Sequence, residues 1–390
     1  MSVRVGSSLL PEIQKYGAAD IQACFNCGNC TAVCPLADDQ ATFPRRLIRY
    51  AQLGMKERLA ASKDAWMCYY CGECSATCPR QAEPGEFMAA ARRYAIAHND
   101  VTGLSKLMYK SAWFNVLFTI LQGIFFGLFM LTFRQPAPLD QLVLFQFIPE
   151  VYIQVVGIAL FVLVALATFL GWLKMVRGVI KQGNLAFEVS ARPRLNWWAA
   201  LWETIAVEFL GQKRYRTDDC EEQPAQPWYL RKWIVHASIL YGFLGLFAAT
   251  ALDFLFKPIG SLVPLYYPMR LLGTSAGLLL MYGTTVAFIK RLIKRDKYTA
   301  KSHVSDWMAL ILLWLMGLTG FLLEISVYAL LPAIWGYVLL IIHVALAMDL
   351  LTLVPVSKFA HVLYRTTAIF LYNLRPLPQA EEGSPALAEG

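Results

Sequence analysis

Apolar residues follow two regimes along the 390-residue chain. From residue 112 onward they gather into six long runs, 112–133, 151–172, 233–256, 271–289, 307–328 and 337–356. Each is near the roughly 20 residues that a helix needs to cross about 30 Å of hydrocarbon. The pattern predicts six transmembrane helices, and an even number returns the C-terminus to the side of the N-terminus. Before residue 110 no run approaches that length. There Leu47, Tyr50/Ala51, Met55 and Leu59 recur at helical spacing, and Met88, Ala91 and Ala95 mark a second helix from Pro84 to His98. Between the second and third runs, Trp198, Trp202, Ile205 and Phe209 share one helical face. They predict an interfacial helix over 195–211, lying flat on the membrane. The expected fold is all-α: a helical domain over 1–110, a six-helix transmembrane bundle over 111–365 and a polar tail over 366–390.

Charge adds orientation to this picture. Only 16% of residues are charged, against about 25% in a soluble domain, and the mean hydropathy is +0.46. The net charge of +8 does not point to nucleic acid, because the basic residues cluster beside apolar runs. The segment 173–232 holds ten Lys/Arg, among them Lys174, Arg177, Arg192, Arg194, Lys213 and Arg214. Six more lie in 290–303: Lys290, Arg291, Lys294, Arg295, Lys297 and Lys301. The opposite loops hold Arg134, Lys257 and Arg270. Positive loops stay inside, so residues 1–110 and the C-terminus are expected in the cytoplasm and the bundle in the inner membrane. Residues 1–17 show neither the apolar core of a signal peptide nor a twin arginine.

Eight of the nine cysteines form two short clusters. One reads Cys24-Phe-Asn-Cys27-Gly-Asn-Cys30-Thr-Ala-Val-Cys34-Pro35, the other Cys68-Tyr-Tyr-Cys71-Gly-Glu-Cys74-Ser-Ala-Thr-Cys78-Pro79. Both follow the C-x2-C-x2-C-x3-C-P run of two-cluster ferredoxins, in which the fourth cysteine serves the other cluster. Three closely spaced thiolates wrap one face of a cubane, and Gly28 and Gly72 let the backbone turn beneath it. This assigns Cys24, Cys27, Cys30 and Cys78 to one 4Fe–4S cluster, and Cys68, Cys71, Cys74 and Cys34 to the other. Structural zinc prefers paired knuckles, often with histidine, and a disulfide frame belongs to exported proteins. The linker between the motifs is helical, so the domain reads as an α-helical ferredoxin. Cys220, in a polar stretch, reads as a free thiol.

Four of the five histidines, His236, His303, His343 and His361, lie in or beside apolar runs, where ionisable groups are costly and usually functional. Neutral imidazole is a standard axial ligand of haem. His236 and His361 match in depth at the cytoplasmic edge and form the best pair for a haem b. His343 and His361 are 18 residues apart, five turns on one face of the sixth helix unless Pro355 rotates the register. That is ~27 Å along the axis, too far for one haem, so His343 belongs to a second haem or to none. His303 is a candidate for that second haem, or for binding a quinone or a lipid headgroup. Asp253, Glu324 and Asp349 are intramembrane acids, candidates for taking quinone protons or for buried helix–helix hydrogen bonds. No nicotinamide or flavin fingerprint is present.

The residues of the last five spans resemble the cytochrome-b gamma subunits of respiratory nitrate reductases. Trp233-Ile-Val-His236-Ala-Ser-Ile-Leu resembles their first haem-ligating helix, the His343/His361 spacing equals that of their last, and Asp306-Trp307 through Gly317-Leu318 resembles the span between. Where that family has a second histidine, ten residues after the first, this chain has Leu246. Residues 1–110 resemble the C-type iron–sulfur component of heterodisulfide reductases. The fusion of the two is similar to the C-type membrane component of the quinone-interacting membrane-bound oxidoreductases (Qmo) of sulfate reducers. That resemblance implies menaquinol as donor, heterodisulfide-reductase-A-like flavin/Fe–S partners as acceptors, and adenylylsulfate (APS) reductase downstream. The alternatives are reversed flow that reduces quinone, and a membrane-anchored Fe–S sensor without haem.

Overall fold

The structure is a computed structural model, and it describes residues 6, 8–37, 43–182, 196–217, 226–294, 296–329 and 332–374. Cys220 lies outside them. Among the described residues all regular structure is helical. Six helices are long and apolar enough to cross a membrane: Ala112–Leu131, Glu150–Lys181, Lys232–Phe256, Pro268–Ile293, Val304–Tyr328 and Ala333–Thr352.

In the N-terminal region the expected linker helix is two helices, Arg45–Gln52 and Lys56–Ala60. They part at Gly54, whose φ is 70° and whose backbone lies against Gly6. Gly6 N–H donates to the Gly54 carbonyl at 3.2 Å, an approach a side chain there would block. The second expected helix is present as Pro84–Asn99. These helices and Leu9–Gln14 bury Leu9, Ile13, Leu47, Ile48, Leu59, Phe87 and Met88 in one core.

That core does not close with residues from 1–110 alone. Met175 and Val179, from the extension of the second span, enter it, as do Tyr364, Ala368, Ile369 and Leu371. Trp66 meets Tyr364 edge-on at 5.6 Å. Each fully buried large apolar side chain contributes about 1.5–3 kcal/mol, so the N-terminal domain and the membrane chain fold onto a shared interior. The boundary near residue 110 is a change of composition, not of packing.

Two sequence expectations change in the C-terminal part. The sixth span ends at Thr352, after which the chain turns through Leu353–Ser357 before a new helix, His361–Asn373. His361 is therefore not on the sixth span, and the five-turn relation to His343 does not hold. The tail expected to be polar from residue 366 instead continues this helix to Asn373, with Ala368 and Ile369 buried. The segment expected at the interface forms Trp197–Trp202 and a wide, π-type run Glu203–Leu210, with Trp198 and Trp202 exposed.

The third and fourth spans pack most closely. A Cβ on Gly242 would lie 2.6 Å from the Leu280 backbone nitrogen, and one on Gly283 would lie 2.9 Å from that of Ile239. Gly242 is thus a small-residue helix contact.

Candidate iron–sulfur and histidine site

The two cysteine motifs have the same local backbone. Asn26 and Tyr70, each just before the second cysteine, sit in the left-handed region at φ 65° and 61°; Gly28 and Gly72, just after it, both have φ 96°. The left-handed residue turns its N–H back onto the first thiol: Asn26 to Cys24 Sγ and Tyr70 to Cys68 Sγ, both at 3.4 Å. The third cysteines begin short helices, Asn29–Ala32 and Glu73–Ala76. The motifs are tied together by Asn29 Nδ2 donating to the Thr77 carbonyl at 2.8 Å.

The fold brings the fourth cysteine of each run to the opposite group. Cys78 lies within electrostatic reach of Cys24 and Cys30, which also feel Cys27. Cys34 lies within reach of Cys68 and Cys71, and all three act on Cys74. A small apolar cavity is lined by Cys34, Cys68, Cys71 and Cys74. Among the described residues no three Cys, His, Asp or Glu converge tightly enough for a single ion, whereas a cubane needs wider spacing. Burial pushes the free thiols up, Cys30 to about 11 and Cys34 to about 12, so cluster assembly displaces protons. The donor set fits two 4Fe–4S clusters.

The second motif, not the first, is seated on the membrane chain. Lys232 Nζ donates to the Tyr69 and Tyr70 carbonyls at 3.0 and 2.9 Å. Arg92 and Arg365 both donate to the Cys68 carbonyl, and Lys297 pairs with Glu73 at 2.8 Å. In the first motif Cys27 is exposed and Phe25 is 60% exposed. This basic loop face is the one expected from charge, and the cluster domain rests on it.

The same cations surround His236. Tyr215 stacks on the His236 ring at 4.6 Å, Arg365 lies 5.4 Å and Lys232 5.5 Å from the centre of the Tyr215 ring. Burial opposes ionisation of Tyr215, but Arg365, Lys232, Arg92 and Lys358 outweigh it and hold the phenol below its ordinary pKa. His361 is within electrostatic reach of His236. Burial holds His361 down to about 4, with Lys358, Arg365 and Arg92 adding to it and only a backbone bond opposing, so the ring is neutral at pH 7.

Hydrogen-bond partners assign the tautomers. His236 Nδ1 faces Gln212 Oε1 at 2.7 Å, and Gln212 is fixed through its own amide donating to the Phe209 carbonyl. His361 Nδ1 bonds the Lys358 carbonyl. In both rings Nδ1 is the donor and the Nε2 lone pair is left for a metal, the usual arrangement of a ligating histidine. His343 Nδ1 meets Thr319 Oγ1 at 3.0 Å, whose own proton goes to the Leu315 carbonyl, so its Nε2 is also free. It stands mid-span against Gly320, and among the described residues no charged group or second histidine acts on it.

His303 is different. Its Nδ1 accepts from Ser305 N–H at 3.2 Å, capping the fifth span in a capping box with Asp306. The Tyr109 backbone also bonds the ring. In this structure His303 serves as the N-terminal cap of the fifth span.

The three acids are not together. Asp253 and Glu324 lie near the ends of the third and fifth spans remote from the cluster domain; Asp253 neighbours Lys257 and Arg270, and Glu324 accepts from Thr274 at 2.9 Å. Asp349 is 1% exposed, one turn from the cluster-side end of the sixth span. Gln212, Tyr215, Lys232 and Arg365 were not singled out by sequence. Only the structure marks Gln212, whose φ of 53° is left-handed without glycine's freedom; φ is not legible in sequence.

Six apolar helices and a doubled cysteine motif define a membrane-embedded iron–sulfur protein. Residues 20–82 match the 4Fe–4S dicluster domain family. Residues 116–380, more than half of the chain, match the citrate utilization protein B family, and the chain belongs to that family. No curated protein and no solved structure shows significant similarity to it.

Proposed function

We propose that this chain carries electrons between a soluble redox partner and quinone in the cytoplasmic membrane, with its cluster domain and C-terminus in the cytoplasm. The observation that carries the reading is the convergence of the Cys68 loop, His236 and His361 on one cationic cluster at the bundle's edge. Two 4Fe–4S clusters, held by Cys24, Cys27, Cys30 and Cys78 and by Cys34, Cys68, Cys71 and Cys74, and a haem b held by His236 and His361, supply one-electron chemistry when bound. His343 is left for a second haem. Gln212 and the Lys358 carbonyl orient the two imidazoles. Lys232, Arg92 and Arg365 place positive charge beside Cys68, which favours the reduced state there. Phe25 and Cys27 form the outward face for a soluble flavin/Fe–S partner.

Two directions of flow are supported by different observations. Resemblance to the sulfate-reducer proteins supports menaquinol as donor, heterodisulfide-reductase-A-like partners and APS reductase downstream. The family description names citrate utilization, and consuming a carbon source releases electrons. That supports the opposite flow, from a soluble dehydrogenase into quinone, and we favour it for this chain. The test is spectroscopic. The purified chain should show two reduced 4Fe–4S signals by EPR and a low-spin b-type band with dithionite. Zinc in place of iron, or no haem band, overturns the reading.

A further inference from the structure

The first span carries polar side chains on the face that meets the fifth and sixth spans. Asn115 and Thr119 are 2% and 3% exposed, one turn apart. Asn115 Oδ1, Thr119 Oγ1, Gln122 Oε1 and Asp349 Oδ1 are all buried without a hydrogen-bond partner in the protein. A buried polar atom left unsatisfied is destabilising, so a run of them marks a place for water. Space for it exists. A cavity lined by Tyr109, Asn115, Thr119, Ser305, Leu353 and Ser357 has room for about one ordered water.

The seam has two ends. At the upper end Ser357 lines the cavity, and its neighbour Lys358 has a side chain 44% exposed. The partly exposed stem of Lys358, whose ammonium pairs with Asp306 at 2.7 Å, sets this end of the cavity beside the cluster-domain end of the bundle. At the lower end, a Cβ placed on Gly123, one turn beyond Thr119, would lie 3.8 Å from Asp349 Oδ2. The Asp349 carboxyl therefore faces the first span at that level. Beside it Gln122 donates to Thr352 Oγ1, whose hydroxyl donates to the Asp349 carbonyl at 2.8 Å. From Asn115 to Gly123 is eight residues, about 12 Å of helix.

We infer that Asn115, Thr119 and water in their cavity form a proton path joining Asp349 to solvent on the cluster-domain side. The use of the path rests on the quinone reading above. Reducing a quinone to its quinol takes two electrons and two protons. Asp349 gives up its proton to a quinone oxygen, is recharged through the cavity water and the Thr119 hydroxyl, with the Asn115 carbonyl oxygen holding that water, and does so a second time; quinol oxidation runs the same steps backwards. Asp253 and Glu324 lie at the other end of the bundle and take no part.

The path is tested without turnover. The full chain in lipid nanodiscs is held on an infrared reflection cell while the buffer is switched in pH and from water to D2O. A carboxyl band abolished by Asp349→Asn should titrate and shift promptly in D2O. Thr119→Val and Asn115→Leu should keep the band but slow its exchange by at least about tenfold, with iron and haem content unchanged. Equal exchange in all proteins, or no band sensitive to Asp349→Asn, overturns the path. A chain whose Asp349 exchanges as expected but which never reacts with quinone keeps the path and loses the quinone reading.

Discussion

A single ring nitrogen separates His303 from the other membrane histidines. Its cap uses the Nδ1 lone pair that a donor tautomer does not have, and burial, with Arg93 next, holds its pKa down to about 4, against the pull of Asp306 and the Tyr109 backbone. Tyr109, Asp306, Arg93 and Lys358 surround it. The sign follows from linkage. The unfolded chain takes up a proton near the ordinary 6.5 and the folded one does not until about 4, so stability is present above pH 6.5 and lost as pH falls through that window. The loss is on the order of 3 kcal/mol at 1.36 kcal/mol per unit. Thermal unfolding of the His303→Asn protein, which keeps a capping side chain, should lose that slope; an unchanged slope counts against it. At the same scale the two cysteine runs were legible as a 4Fe–4S dicluster domain, because their spacing is local; on the crossed ligation proposed, Cys78→Ser should damage the cluster of Cys24, Cys27 and Cys30, seen by EPR, and spare the other. The tautomers were not legible, because Gln212, Thr319 and the Lys358 carbonyl reach their rings only through the fold.

Among elements, the last two helices depart furthest from sequence. The apolar run and the 18-residue spacing suggested one helix carrying His343 and His361. Pro355 cannot supply the N–H that would continue it, and the chain instead turns at Leu353–Ser357 and lays His361–Asn373 against the cluster domain. That break frees His361 to approach His236 from a different helix. Gln212, at the end of the interfacial segment, then fixes the His236 ring. Gln212→Leu should leave the spans folded and weaken haem retention about 10–100-fold, as loss of an outer partner does; optical haem titration measures it. Unaltered retention would show that the amide does not support a ligand. The spans themselves were legible, because twenty apolar residues in water admit few other solutions.

At the scale of the molecule, the cluster domain and the membrane chain are one packed body at their junction. The shared core was hidden from sequence, since Tyr364 and Trp66 lie almost 300 residues apart and neither belongs to a local pattern. Tyr364 is 2% exposed, and Tyr364→Ala should cost about 3–5 kcal/mol, read as earlier thermal loss of cluster absorbance. The cationic junction has its own consequence. Lys232→Met should lower the potential of the cluster of Cys34, Cys68, Cys71 and Cys74 and leave the other unchanged in an EPR redox titration. The central claim is that His236 and His361 stand between the clusters and quinone. Its most direct test is to reduce the purified chain anaerobically, add a menaquinone analogue and follow cluster reoxidation in the unaltered protein and in His361→Ala. The expected result is prompt reoxidation in the first and a loss of at least about a hundredfold in the second, some 2.7 kcal/mol of barrier. Equal rates in the two proteins, or no reoxidation in either, would contradict it.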